Sequence, residues 1–309
     1  MESFRSKGGF SSTDFFLLLV SLIWGLNYVV AKVSLREMDP LLFTALRFVV
    51  GAVICWIILL MREKDFRITK RQFWHLFFTG IIAHGINQIT FIYGVARTTA
   101  GAASIILASP PIWVALLAAF LKLEKVNGKT AVGIFISFLG VSLVVMGSKG
   151  TVLGGTDALW GNVLVFIAGI FWSIYTIMVR VYLKDLSIIK FTTYSITFTS
   201  IFFMAITYKQ MINGDWSAYS AEAWYGVLFS GIFVLGISYI LWNTAIQKVG
   251  PTRTAVYANL PPFISILVGW FQLGEMITGI QLIGGLIVLG GLIYVRKAKE
   301  ALATAGIAE

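Results

Sequence analysis

Ten runs of about 20 apolar residues succeed one another along this chain, centred near Trp24, Val50, His84, Pro111, Ser137, Gly169, Thr199, Phe233, Leu267 and Leu286. A run of that length crosses the hydrocarbon core of a bilayer as a helix. Lipid offers no hydrogen bonds to the backbone, so a spanning chain must be helical or a closed barrel. A barrel would show alternating segments of about ten residues, and none is seen here. Composition agrees, with 58% hydrophobic and only 12% charged residues, about half the charged share of a soluble domain. The gaps between runs are short and leave no room for a soluble domain. The fold class expected is therefore all-α integral membrane, with ten transmembrane helices. The spans lie near residues 14–34, 41–61, 73–94, 100–121 and 128–147, then 159–181, 190–209, 222–244, 254–273 and 277–295. The first run is too long for a signal-peptide core and lacks a small-residue cleavage site, so it reads as a retained span.

The net charge of +10 does not form a nucleic-acid-binding patch. Lys and Arg instead gather in gaps on one side, in clusters such as Arg62, Lys64, Arg67, Lys70 and Arg71, or Lys122, Lys125 and Lys129. The opposite side holds Lys32, Arg36, Arg97, Lys149 and Lys209, and Arg47 lies within a run. By the positive-inside rule both termini are cytoplasmic, and the expected location is a bacterial inner membrane. The single cysteine, Cys55, excludes an intrachain disulfide.

Two double prolines interrupt apolar runs, "SPPIWVALLAAFLKLEK" and "LPPFISILVGWFQLGEM". A shift of 151 residues places Pro110 and Pro111 on Pro261 and Pro262, Phe120 on Phe271, Glu124 on Glu275, Gly128 on Gly279, and Gly140 on Gly291. A shift of 148 places Trp24 on Trp172 and Lys32 on Arg180. Apolar composition alone does not align Pro, Glu and Gly in one register. Residues 1–148 and 149–309 are therefore read as two five-helix units. An odd number of spans per unit inverts the second copy, the arrangement on which many secondary transporters are built.

The motifs "WGLNYVVAK" (Trp24 to Lys32), "RF" (Arg47–Phe48), "PP…LEKVNGKTAVG…G" and "PP…GEMITGIQLIGG" resemble the drug/metabolite transporter superfamily, and within it the EamA-type families. The resemblance covers essentially the whole chain. It implies a basket-like bundle around a central cavity lined by spans 1, 3, 4, 6, 8 and 9, with spans 5 and 10 outside. It also implies traffic in amino acids, aromatic and other metabolites, purines or drugs, commonly outward. The first copy departs from the pattern, carrying "LKLEKV" where the second has "LGE".

Candidate site residues follow from polar and aromatic groups inside apolar runs, where they face the bundle interior. His84, Asn87, Gln88 and Phe91 share one helical face of span three. Trp24, Asn27 and Tyr28 form a similar face on span one, matched by Trp172 and Tyr175 on span six. Ser238, Tyr239 and Trp242 add polar and aromatic surface on span eight, and Tyr257 and Asn259 on span nine. Each of these either lines a substrate path or packs the bundle. Arg47 and Lys32 could draw an anion, or snorkel to headgroups, and a basic residue at a helix C-terminus is also favourable. Prolines at 110, 111, 261 and 262 should free the carbonyls of Ile106, Leu107, Tyr257 and Ala258, as path lining, as a hinge, or as a packing kink. Glu124 and Glu275 sit at interface depth and should cap the helices that follow them.

No carboxylate occupies the middle of a run, against the buried acid of many ion-driven pumps. Any proton linkage would then involve His84, whose counterpart in the second copy is Leu235. "NGKT" (Asn127 to Thr130) lacks the glycine a phosphate loop needs at Leu123, so no ATP-driven pump is encoded. The chain offers neither a nucleophile–base pair nor metal ligands, and neither an enzyme, a metal nor a cofactor is expected. The function expected is a secondary or facilitative transporter, an exporter of amino acids or aromatic and drug-like compounds, working by alternating access as a monomer or homodimer. A sugar-phosphate or nucleotide-sugar antiporter, or a receptor or scaffold that does not transport, are the alternatives.

Overall fold

The computed structural model describes residues 12–121, 128–147, 155–182, 186–249, 254, 257–258 and 260–304. Among these the regular elements are helices, with no strand. The helices are α1 (Ser12–Ser34), α2 (Pro40–Arg62), α3 (Lys70–Arg97), α4 (Ala100–Ile106), α5 (Pro110–Phe120) and α6 (Gly128–Gly147). They continue as α7 (Thr156–Tyr182), α8 (Ile188–Ile206), α9 (Ala221–Lys248), α10 (Pro261–Leu273) and α11 (Gly279–Thr304). Six of them are long and apolar enough to cross a membrane, and shorter apolar helices lie at Ala131–Val144, Pro261–Leu273 and Gly279–Gly291. The protein is an integral membrane protein.

Short polar side chains start these helices by accepting from the free amides of the first turn. Asp39 accepts from Leu41 N and Leu42 N ahead of Pro40 at the first position of α2. Thr69 and Gln72 make a reciprocal capping box on α3, and Ser187 caps α8. Ser220 caps α9 and is itself held by Glu37, which accepts from both its amide and its hydroxyl at 2.8 Å. Those two donors hold the Glu37 carboxyl below the usual carboxylate range.

Helix packing exchanges partners in a matched way. α1 lies along α10, as α7 lies along α5. α2 lies on the middle of α9, as α8 lies on the middle of α3. Both of those middles are π-helical, at Thr79–Gly85 in α3 and Ser230–Ser238 in α9, and 79 and 230 are themselves 151 apart. A glycine makes each contact. A methyl on Gly80 would stand 2.7 Å from Ser195 O, and one on Gly231 would stand 2.9 Å from Arg47 O. The π segments were not expected from periodicity, but "GIIAHG" and "GIFVLG" stand in register at the 151-residue shift.

Span four, the run over 100–121 that the double proline interrupts, is broken between α4 and α5. Two of the carbonyls freed near the prolines have partners within the bundle. Ile106 O accepts from Ser109 N at 3.1 Å and Ser109 Oγ at 2.6 Å. Tyr257 O accepts from Leu260 N at 3.1 Å and from Ser21 Oγ of α1 at 2.8 Å. Ser173 of α7 donates to Pro110 O at 3.1 Å. A bare carbonyl in an apolar interior is costly, and a serine hydroxyl is small enough to meet it without spreading the helices.

α6 and α11 pack against each other by backbone approach. A methyl on Gly140 would lie 2.6 Å from Val288 N, and one on Gly284 would lie 2.7 Å from Gly140 O. Gly290, on the same helix, faces open space. The outer surface is apolar, with Phe120 and its repeat mate Phe271 more than 80% exposed. Gly284→Ala should therefore lower the melting temperature of the detergent-purified protein, reflecting an overpacking cost of about 1–3 kcal/mol. Gly290→Ala should leave it unchanged or slightly raised.

Candidate functional site

Where α1, α2, α3, α7 and α9 meet, the structure gathers polar and aromatic side chains that the bundle buries. His84 has no exposed surface and Arg47 only 1%. His84 comes from the π segment of α3, where the helical phase differs from that of Ile86–Arg97. Its Nε2 meets Tyr239 OH at 3.0 Å, and its ring lies 5.1 Å from Tyr239 and 5.0 Å from Tyr175. Asn87 and Gln88 bond to other partners, and Phe91 packs edge-on against Tyr28.

Arg47, Gln88, Asn87 and the carbonyl of Ala168 form a relay. Arg47 Nη2 donates to Gln88 Oε1 at 2.6 Å, Gln88 Nε2 to Asn87 Oδ1 at 2.9 Å, and Asn87 Nδ2 to Ala168 O at 2.7 Å. A carbonyl can only accept and a guanidinium can only donate, so both amides have one consistent orientation. The guanidinium is further flanked by the rings of Phe43, Phe91 and Phe48, with centroids 5.2, 5.6 and 5.9 Å away.

Beside the relay stands an aromatic box. Trp24 lies 4.7 Å from Trp242 and 5.6 Å from Trp172, while Trp172 lies 5.3 Å from Tyr175 and 5.5 Å from Tyr239. Asn243, on the turn after Tyr239, donates to Thr192 Oγ1 at 3.1 Å and to Tyr175 OH at 3.4 Å. Several buried atoms here have no protein partner, namely Trp24 Nε1, Arg47 Nε, His84 Nδ1, Ser238 Oγ and Asn243 Oδ1. Buried polar groups are rarely left unpaired in a finished interior. Four helices converge on these atoms, as a polar ligand would require.

Other expected residues have partners of their own. Asn27 accepts from Ser230 Oγ at 2.6 Å, tying α1 to the π segment of α9. Tyr257 donates to Asp14 at 2.8 Å. Asn259 and Glu124 lie outside the described residues, as do the other members of the first copy's "LKLEKV" turn beyond Leu121. Ser230, Thr192 and Phe43 were not anticipated. The first two are hydroxyls in apolar runs, a signal common enough to be passed over. Among the described residues no group of three or more His, Cys, Asp or Glu could hold a metal ion.

Lys32 and Glu275 also differ from expectation. Glu275 does not cap the helix that follows it, because Thr278 and Gln281 bond each other's backbone amides there. Gly274, left-handed at φ 65°, ends α10 and turns Glu275 back into the bundle. One of its oxygens accepts from Lys32 Nζ at 2.7 Å and the other from Ala100 N, the first residue of α4, at 2.7 Å. Lys32 is thus neither a free anion site nor a snorkelling group. The pair is about 10% exposed on each side and ties together α1, α4 and the end of α10. Removing one partner of such a pair strands the other, at about 3–5 kcal/mol for a fully buried one. Lys32→Met should therefore sharply lower the melting temperature. The double change Lys32→Met with Glu275→Gln should recover much of the loss, because the amide oxygen still accepts from Ala100 N.

Comparison with known proteins places this architecture. An uncharacterized transporter of Bacillus subtilis, YetK, is 27% identical over 283 residues, covering 90% of this chain and 85% of its own. An uncharacterized transporter of Archaeoglobus fulgidus is 26% identical and covers 94% of this chain and 99% of its own. A solved crystal structure superposes with a TM-score of 0.67 at 19% identity, over 95% of this chain and 99% of its own, a likeness of fold. The EamA-like transporter family model matches residues 11–146 and 159–296. Nearly the full length of the chain is accounted for by that match: it belongs to the EamA-like transporter family.

Proposed function

We propose that the protein is a secondary or facilitative carrier of small metabolites, amino acids and aromatic or drug-like compounds first, moved outward by alternating access around the buried centre. The exchange of helix partners carries this reading. Each half's second helix rests on the π segment of the other half, through one glycine contact repeated in both. Ten spans in two inverted units, residues 1–148 and 149–309, would produce that pattern. Two like units facing opposite ways can exchange conformations, opening the centre to one side and then the other. Both termini are then cytoplasmic, in the inner membrane of a bacterium.

The centre suits such cargo. It joins aromatic surface to a few placed polar groups, the usual composition of a small-molecule site. Its one guanidinium is too little cationic charge for a sugar phosphate or a nucleotide sugar. Purified protein in liposomes should accelerate entry of at least one labelled amino acid or aromatic metabolite over protein-free vesicles, with counterflow from preloaded vesicles. Flux at background level for the whole panel, with and without a pH gradient, would end the proposal.

A further inference from the structure

Arg47 poses a problem of charge balance. Its side chain is 1% exposed, and among the described residues no carboxylate forms an ion pair with it. Gln88 supplies a dipole and three phenyl rings supply their faces, but none supplies a negative charge. A buried cation without an anion is unfavourable unless something neutralises it. The relay from Ala168 O through Asn87 and Gln88 holds the guanidinium by one nitrogen and leaves Nε buried without a partner. Nε and Nη2, which gives only one of its two N–H groups to Gln88, form one edge of the planar fork that receives a carboxylate with two parallel hydrogen bonds.

We infer that Arg47 is the counter-ion of the substrate, which enters as a monocarboxylate whose oxygens meet the Nε edge of the guanidinium, where Nε has no partner. This deepens the transport reading and uses the same centre. A single negative charge neutralises the single positive one. A phosphate dianion would leave excess negative charge in an apolar site that holds no second ammonium or guanidinium. The rings of Phe43, Phe48 and Phe91 exclude water from the pair, and the Trp24, Trp172 and Trp242 box takes the apolar part of the molecule.

The test compares acids with amides that lack the carboxylate charge; the amino acids and their amides both keep the α-amino group, and benzoate and benzamide have none. Phenylalanine, leucine and benzoate are each paired with the corresponding amide, and phenyl phosphate is added as the dianion. Binding to the full-length protein in detergent is read by tryptophan fluorescence and by thermal shift. At least one acid should bind tenfold or more tighter than its amide and tighter than phenyl phosphate. That preference should fall below twofold in Arg47→Gln and survive in part in Arg47→Lys, which keeps the charge without the fork. Gln88→Glu gives a second reading that does not depend on removing Arg47. It places a carboxylate against the guanidinium, so it should raise the melting temperature and abolish acid binding together.

Equal binding of acids and amides, no acid binding at all, tighter binding of phenyl phosphate, or an acid preference that survives in Arg47→Gln would each overturn the assignment. So would a Gln88→Glu protein that still binds acids. Should Arg47→Gln not fold, Arg47→Lys and Gln88→Glu decide the matter. Acid-selective binding without flux in liposomes would leave this assignment standing and remove the transport reading. Equal flux of acid and amide would do the reverse.

Discussion

Hydrocarbon cannot hydrogen-bond, and most of the irregular detail in this bundle answers that constraint. An unmet amide or carbonyl in such surroundings costs several kcal/mol, so each departure from α-helix must be closed from within. Hydroxyls do this where the chain breaks, Ser109 within its own turn and Ser21 and Ser173 across to a neighbouring helix. Each cross-helix bond joins one half of the molecule to the other, so the breaks fasten the halves together as well as interrupting them. Thr199 acts in the same way at the π segment of α3, donating to Gly80 O at 2.8 Å.

Against this background of closure, the centre is conspicuous for what it leaves unmatched. Unpaired donors and acceptors on α1, α2, α3 and α9 face a region walled by aromatic rings. The Lys32–Glu275 pair shows that the same chain can neutralise a cation completely when stability alone is at stake, with a carboxylate at 2.7 Å and a helix amide on its far oxygen. Arg47 receives no such treatment. On the inference drawn above, the contrast between the two cations is one between a structural role and a binding role.

Much of this was readable in the chain. Apolar runs located the helices because lipid demands about 20 residues per crossing. The paired prolines marked the break in span four, and polar residues inside apolar runs marked side chains that the bundle buries, because such groups turn inward. Other features depended on backbone geometry that residue types do not encode. Glu275 looked like a cap for its own helix, but a left-handed Gly274 redirected it to Lys32 and Ala100. A 3.6-residue period also gives no sign that α3 and α9 are π-helical at mid-height. The repeated glycine pairs at 80 and 85, and at 231 and 236, carried that information in a form composition and periodicity overlook.

The π segments hold a mechanical consequence. A π turn winds more residues into one turn than an α turn does, so each of α3 and α9 stores surplus chain at mid-height. Letting one residue of that surplus pass into α geometry would rotate everything beyond it by about 100° and advance it by about 1.5 Å, with hydrogen bonds re-forming at each step. On α3 that turning half carries Asn87 and Gln88; on α9 it carries Tyr239 and Asn243. Under the transport reading proposed above, such a step would let α3 and α9 re-aim these groups without unwinding.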